Sequence, residues 1–350
     1  MKVINGLRQQ GVPAALFAAL LFGAGTPLAK WLLDSVSPWL LAGLLYLGSG
    51  VGLTIYRLIS RAEPCRLART EMLWFIGAII SGGVIAPVLL MFGLTHAPAS
   101  GASLLLNAEG VFTALLAWFA FKENFDRRIA LGMVAIVAGA ILLSWPGEAE
   151  FSDVWASLAI LGACLAWGID NNLTRKVSLS DATWIASVKG LTAGGVNLIL
   201  ALLLGASLPA LPSVAGAMVV GFLSYGVSLA LFVLGLRYLG TARTGAYFSI
   251  APFIGALIAL LMGEPLTLTL VVAGSFMAVG IWLHLTEHHE HEHIHTDIEH
   301  DHEHTHDEHH LHRHDFPVED GVKHSHLHKH DPQRHAHAHF PDMHHQHRHD

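Results

Sequence analysis

Charge is scarce in this chain, and cysteine scarcer still. Asp, Glu, Lys and Arg make up 13% of the sequence, against 53% for the hydrophobic residues. An average soluble domain is roughly 25% charged, so a fold that keeps a wet polar face on every element is excluded for most of the chain. The two cysteines are Cys65, in a basic loop, and Cys164, inside an apolar run. No disulfide framework can be built from them, and the redox compartment stays open. The GxxxxGK[ST] loop that cradles nucleotide phosphates is also missing. Neither a Ser/His nor a paired-Asp arrangement nor a GxGD-like stretch occurs, so an enzyme is not expected. Nor is a required cofactor or a nucleic-acid partner.

What the chain does contain is long apolar runs of the length that crosses a hydrocarbon core of roughly 30 Å. Reading these runs and their breakers gives ten spans, near 12 to 33, 38 to 58, 72 to 94, 98 to 121, 128 to 145, 153 to 174, 183 to 204, 214 to 236, 244 to 262 and 267 to 286. The shortest links, around Ala97-Pro98 and Gly263 to Leu266, leave counts of nine or eleven open. Lys2 and Arg8 precede the first run as they would in a signal peptide, but the run is too long and lacks a small-residue cleavage site. It reads as a retained first span. The lipid bilayer is therefore the main partner, and the localisation expected is a bacterial inner or plasma membrane.

Orientation follows from the basic residues, which collect on the cytoplasmic side of a membrane protein. With the N-terminus inside, that side holds Lys2, Arg8, Arg57, Arg61, Arg66, Arg69, Lys122, Arg127, Arg128, Arg175, Lys176, Arg237 and Arg243, and the outer side holds only Lys30. Both termini are expected in the cytoplasm.

An internal repeat underlies the spans. Phe22-Gly23 precedes Lys30 as Trp167-Gly168 precedes Arg175, at an offset of 145. Gly93-Leu94, Ala114-Leu115, Ala117 and Glu123 are answered by Gly235-Leu236, Ala256-Leu257, Ala259 and Glu264, at an offset of 142 with one residue lost before the Glu. Five spans per half is an odd number, so the second half inserts upside down relative to the first, an architecture that places the substrate site near the midplane between the halves. The fold class expected is all-α: ten transmembrane helices as a 5+5 inverted repeat, residues 1–147 and 148–286, followed by a disordered His-rich tail, 287–350.

These motifs make the chain, from residue 12 to 286, resemble the EamA-type transporters of the drug/metabolite transporter superfamily. It departs from their pattern at Glu109-Gly110, where Glu-Pro is common, and at Ala251-Pro252, which lacks the acid. The resemblance implies an exporter or importer without ATP-binding elements, for substrates that range over amino acids, metabolites and drugs.

A charge at the bilayer centre costs several kcal/mol on insertion scales, so intramembrane ionisable residues mark either a structural partner or a site. Glu109 lies halfway along span 4 beside Gly110 and is the first choice for a substrate-contacting or proton-carrying group. A carboxyl that keeps its proton when sealed and releases it when opened to the other side supplies the coupling a proton gradient demands; the alternative is a protonated Glu that only bonds a neighbouring helix. Asp170, Asn171 and Asn172 follow Trp167 at nearly the depth of Lys189. If spans 6 and 7 are neighbours, Asp170 and Lys189 can pair and leave the amides for a ligand. The alternative is a frayed helix end with Lys189 reaching back to the headgroups. Asn107 and Tyr247 complete the expected substrate-binding set, with Trp118, Asn197 and Tyr225 at similar depth reading mostly as packing. Lys30 and Arg175 read as anchors of helix ends. Pro87 and Pro252 are expected to kink spans 3 and 9, and Gly48, Gly52, Gly190 and Gly194 to allow close helix approach.

The tail is of another kind. Between Glu287 and Asp350 there are 24 His and 15 carboxylates. Few apolar residues remain to bury a core. The His-x-His steps run through His291, His293, His295, His300, His302, His304, His306, His324, His326, His328, His330, His335, His337 and His339. Imidazole with carboxylate suits Zn, Ni, Co or Cu(II) over Mg or Ca. Titration near pH 6.5 makes pH sensing a second use.

The function expected is a secondary active transporter of a small metabolite or drug-like solute by alternating access, with a metal-binding cytoplasmic tail. The competing readings are a transporter whose cargo is the divalent metal itself, and a membrane-anchored metal or pH sensor. Substrate, direction, coupling ion and oligomeric state, a homodimer included, stay open.

Overall fold

The computed structural model describes residues 11–62, 65, 67–121, 127–144, 154–177 and 180–285, and in the tail 290–294, 298–304, 324–330 and 334–338. Two compact units result, 1–287 and 288–350.

The first unit is a bundle of helices. They are α1 (Val12–Leu32), α2 (Pro38–Ile59), α3 (Arg69–Ala78), α4 (Ala86–Thr95), α5 (Ala99–Leu105), α6 (Ala108–Phe121), α7 (Arg127–Ser144), α8 (Val154–Arg175), α9 (Ala182–Leu203), α10 (Leu211–Gly221), α11 (Ser228–Phe248), α12 (Ala251–Leu261) and α13 (Leu268–Leu285). A π-helical segment, Ile79–Ile85, joins α3 to α4, and a second, Phe222–Val227, joins α10 to α11. Among the described residues, seven stretches are long and apolar enough to cross a membrane: 12–32, 38–59, 69–95, 99–119, 154–175, 182–203 and 211–235. Three shorter apolar helices, at 130–144, 251–261 and 268–283, fall in the remaining predicted spans.

Sequence punctuation sets the ends. Proline stands in the first turn of α1, α2 and α10, where its missing N–H takes nothing from the helix. Asp181 caps α9, its Oδ1 accepting from Trp184 N at 2.8 Å, from Thr183 Oγ1 at 2.6 Å and from the Arg57 guanidinium at 2.6 Å. Partial burial pushes this carboxyl up, but the Thr183 and Trp184 bonds and the Arg57 charge outweigh it and hold Asp181 below the usual carboxylate range.

The outer surface carries the strongest sign of the solvent. Ile59, Leu203, Leu211, Leu261 and Leu268 are each nearly four-fifths exposed, and Trp155 and Trp282 well over half. Such a belt is costly in water and ordinary against acyl chains. Inside, helices approach at glycine: a Cβ on Gly190 of α9 would collide with the Gly50 backbone of α2. The packing expected of Gly190 and Gly194 is met across α2, whereas Gly48 meets Met218 of α10 and Gly52 the ring of Phe222.

Breaks fall in corresponding places. The π segments begin at Ile79 and Phe222, 143 positions apart. Span 4 breaks at Leu106-Asn107 between α5 and α6, and span 9 at Ser249-Ile250 between α11 and α12, again 143 apart. Pro87 is the second residue of α4, just past the first π segment, and Pro252 the second residue of α12, so both prolines stand at irregular helix as anticipated. The link between spans 8 and 9 differs from expectation, because helical geometry runs through it as α11. Yet a Cβ on Gly235 would lie 2.8 Å from Thr244 Cγ2. Nine residues of straight helix would separate them by roughly 13 Å, so the chain doubles back within α11.

In the second unit, the described residues of the tail form short strands. Strands β1 (Glu290–Ile294) and β4 (Arg334–Ala338) pair antiparallel, as do β2 (Ile298–His304) and β3 (His324–His330). The register sets His291 opposite His337, His293 opposite His335, His300 opposite His328, His302 opposite His326 and His304 opposite His324. The His-x-His alternation is itself the period of a strand. Composition excluded a buried core but not a local ladder, and two-stranded ladders are only marginal in water. His295, His306 and His339 lie outside the described residues.

Candidate functional site

Irregular helix frees backbone groups, and here the freed groups organise a site. Around the first π segment, Gly82 O accepts the Tyr46 hydroxyl at 2.6 Å and Trp167 Nε1 at 3.0 Å. Asn197 Nδ2 reaches Gly83 O and Val84 O, each at 3.3 Å. Three successive carbonyls are thus satisfied by side chains from α2, α8 and α9, as an apolar interior requires. Gly82 also brings its Cα against the Asp170 carboxylate, leaving no room for a Cβ.

The Asp170 carboxylate is fully engaged. Oδ2 pairs with Lys189 Nζ, both side chains being buried, and Oδ1 accepts from Thr174 Oγ1 at 2.8 Å. The pairing conditionally expected from sequence is therefore present, and Lys189 does not reach back to a headgroup.

Glu109 is placed by the break in span 4. Asn107 Nδ2 donates to Leu104 O at 2.9 Å, filling one carbonyl there, and Glu109 falls in the first turn of α6. A helix N-terminus favours negative charge. Asn171 Nδ2 donates to Glu109 Oε1 at 2.7 Å and lies 3.3 Å from Thr113 Oγ1. Among the described residues Glu109 has no cationic partner within ion-pair distance.

These groups face one cavity of about 70 Å³. Glu109, Trp167, Asp170, Asn171 and Lys189 line it, together with Phe22, Tyr46, Ser224, Tyr225, Ser228, Leu229, Phe232 and Phe248. The rings form an unbroken series. Phe22 lies 6.0 Å from Trp167 and from Tyr225 and 5.2 Å from Phe248, while Tyr46 follows Tyr225 at 5.3 Å and Phe232 follows Phe248 at 4.7 Å.

Three residues expected at the site are elsewhere. Asn107 is not among the lining residues, and its amide Nδ2 turns to Leu104 O and Met277 Sδ. Asn172 clamps α8 to α6, its Nδ2 donating to Thr113 O at 3.1 Å and to Gly168 O at 2.9 Å. Tyr247 packs with Val12, Ala15 and Leu239, and its neighbour Phe248 lines the cavity instead. Of the lining residues not anticipated as site residues, Phe22 carried a signal: it is the repeat partner of Trp167, and both reach the same cavity.

The link between spans 3 and 4 is held by other repeat residues. Lys30 Nζ donates to Leu94 O at 2.6 Å, at the C-terminus of α4. Glu264 accepts from Ala99 N at 2.7 Å and Ser100 N at 2.8 Å, at the N-terminus of α5. Each charge sits at the helix end whose dipole it offsets.

Comparison with known proteins agrees with this architecture. A transporter of Methanothermobacter thermautotrophicus, named only as uncharacterized, is 29% identical over 79% of this chain and 86% of its own. A probable amino-acid metabolite efflux pump of Salmonella typhimurium is 26% identical over 77% and 93%, and the Escherichia coli K12 inner membrane transporter YedA 24% identical over 70% and 80%. A crystal structure 18% identical in sequence superposes with a TM-score of 0.62, covering 78% of this chain and 98% of that one, and so shares the fold. The pattern of the EamA-like transporter family matches twice, over residues 9–145 and 154–286. With both halves matched and an apolar belt around the bundle, the chain belongs to the EamA-like transporter family and is an integral membrane transporter.

Proposed function

We propose that the chain is a secondary active transporter of a small metabolite or drug-like solute, working by alternating access around the Glu109 cavity. Its ten helical stretches form two five-span units, head to foot, with both termini in the cytoplasm. The observation that carries this reading is Glu109: a carboxylate on a broken span, facing a cavity between the halves, bonded by an amide and, among the described residues, by no cation. A carboxylate so placed can exchange a proton for solute as the two halves rock. A 70 Å³ cavity has room for a few waters, so a metabolite enters only when the walls move. The π segments and span breaks supply the places where they can. The efflux activity in the name of the Salmonella relative supports a small metabolite as cargo.

The tail binds divalent transition metals, Zn, Ni, Co or Cu(II), through its His-x-His steps and acts as buffer or sensor beside transport. Two-stranded ladders with five cross-strand His pairs in register support a multi-site mode of binding.

A deletion strain surveyed for survival and accumulation across metabolites, drugs and divalent metals tests both parts. The expected outcome is that Glu109→Gln loses transport of the responsive solute by about tenfold or more, the equivalent of about 1.4 kcal/mol. The chain cut after Thr286 should keep transport of that solute and lose retention of metal. Normal transport by Glu109→Gln would remove the central role of this residue, and metal transport that fails without the tail would make the metal the cargo.

A further inference from the structure

The charges around the cavity do not balance for every class of solute. Asp170 and Lys189 neutralise each other, and the second Asp170 oxygen is taken by Thr174. Among the described residues no arginine lines the cavity, and the one lysine that does is committed to this pair. What remains is Glu109, so among the described residues the lining carries one surplus negative charge whenever Glu109 is ionised. An isolated charge in a low-dielectric cavity is costly, and two species can cancel this one: a proton, or a monocation brought by the solute.

The walls favour the same kind of ligand. Six aromatic rings run in contact around the cavity, and ring faces attract cations within about 6 Å. Beside them, the hydroxyl of Tyr225 has no hydrogen-bond partner among the described residues. An organic anion would meet Glu109 and find no free cation to receive it. A zwitterion would settle its ammonium and leave its carboxylate without one.

We propose that this cavity selects organic monocations, small amines with an apolar or aromatic body, whose ammonium takes the position beside Glu109 that a proton holds in the solute's absence. The assignment rests on the central-site reading above and narrows its substrate class. Exchange then conserves the charge of the cavity: one proton leaves Glu109 as one ammonium arrives, and no covalent bond other than O–H changes.

Four matched phenyl compounds test it on the full chain in lipid nanodiscs by calorimetric titration at neutral pH: phenethylamine, phenylalanine, 3-phenylpropionate and 2-phenylethanol. The amine should bind about tenfold or more tightly than each of the other three, and Glu109→Gln should erase that preference. Because a buried substitution can impair folding, Phe22→Leu serves as a second variant. It keeps the charge, strips one ring, and should weaken the amine about threefold or more while leaving 2-phenylethanol less affected. Binding of the acid or the zwitterion as tightly as the amine overturns the assignment, as does no binding of the amine, or a preference that survives in Glu109→Gln. In proteoliposomes, Glu109-dependent movement of phenylalanine with no response to phenethylamine would overturn the cation assignment and leave the central-site reading standing. Transport of any of the four that is indifferent to Glu109→Gln would overturn both.

Discussion

Asp170 and Lys189 are the buried ion pair on which the cavity wall depends. Both side chains are almost inaccessible, 7% and 4% exposed, so neither charge has water to fall back on. Removing one partner leaves the other uncompensated, which costs about 3–5 kcal/mol in comparable pairs, whereas replacing both by apolar groups is often close to neutral. Lys189→Met and Asp170→Leu should each lower the thermal midpoint of the detergent-purified protein steeply, and the double variant should recover most of the loss. Equal loss in the double variant would mean that Thr174 and the Gly82 backbone, not the pair, govern stability there. The charged half of the site was legible in the sequence for the same reason that the pair matters. Glu109, Asp170 and Lys189 interrupt apolar runs, and a lone charge in such a run demands an account. The aromatic half was not legible, because Phe232 and Phe248 look like any ring in a membrane helix, whether it faces lipid, core or cavity. Tyr247 shows the limit: one position along α11 separates packing from lining, and no residue type marks which is which.

Helices α2 and α9 make contact at backbone distance, and glycine is what permits it. A Cβ on Gly190 would run into the Gly50 amide and the Tyr46 carbonyl, neither of which can swing aside as a side-chain end does. Gly195, five residues along the same helix, meets nothing within 4 Å. Gly190→Val should therefore force the helices apart, moving Tyr46 on one and Lys189 on the other, with loss of folded protein and of transport together. Gly195→Ala should be neutral or stabilising by up to about 1 kcal/mol, since alanine is the better helix former. Folded yield by fluorescence size-exclusion separates the two. Wild-type behaviour of Gly190→Val would show that the contact opens freely. The close approach could be anticipated from the four-residue glycine spacing. The π segments could not be, since Ile-Ile-Ser-Gly-Gly-Val-Ile reads as ordinary apolar helix, and a π turn differs from an α turn only in which carbonyl each N–H reaches.

At the scale of the molecule, the two halves repeat their irregularities as well as their residues. The π segments and the span breaks recur at a spacing of 143, beside the sequence offset of 142 read from Gly93-Leu94 and Gly235-Leu236. Repetition was legible because small residues at helix contacts and charges at helix ends tolerate little change, as Lys30 and Glu264 show by capping α4 and α5. In the tail, the strand ladders of the described residues were legible in period and not in composition, because His-x-His carries the alternation of a strand. If each half crosses the membrane five times, the second half starts on the side opposite the first and the chain ends where it began. Asp34, exposed between α1 and α2, then lies outside, and Asp350 lies in the cytoplasm. In a Cys65→Ser, Cys164→Ser background, Asp34→Cys should react with an impermeant maleimide added to intact cells. Asp350→Cys should react only after the membrane is opened. Labelling of both from the same side would require an even number of crossings between Asp34 and Asp350, where two five-span units give nine. With one crossing before Asp34, an even count after it would leave the two halves unable to cross five times each and would dissolve the head-to-foot pairing that puts Glu109 between the halves.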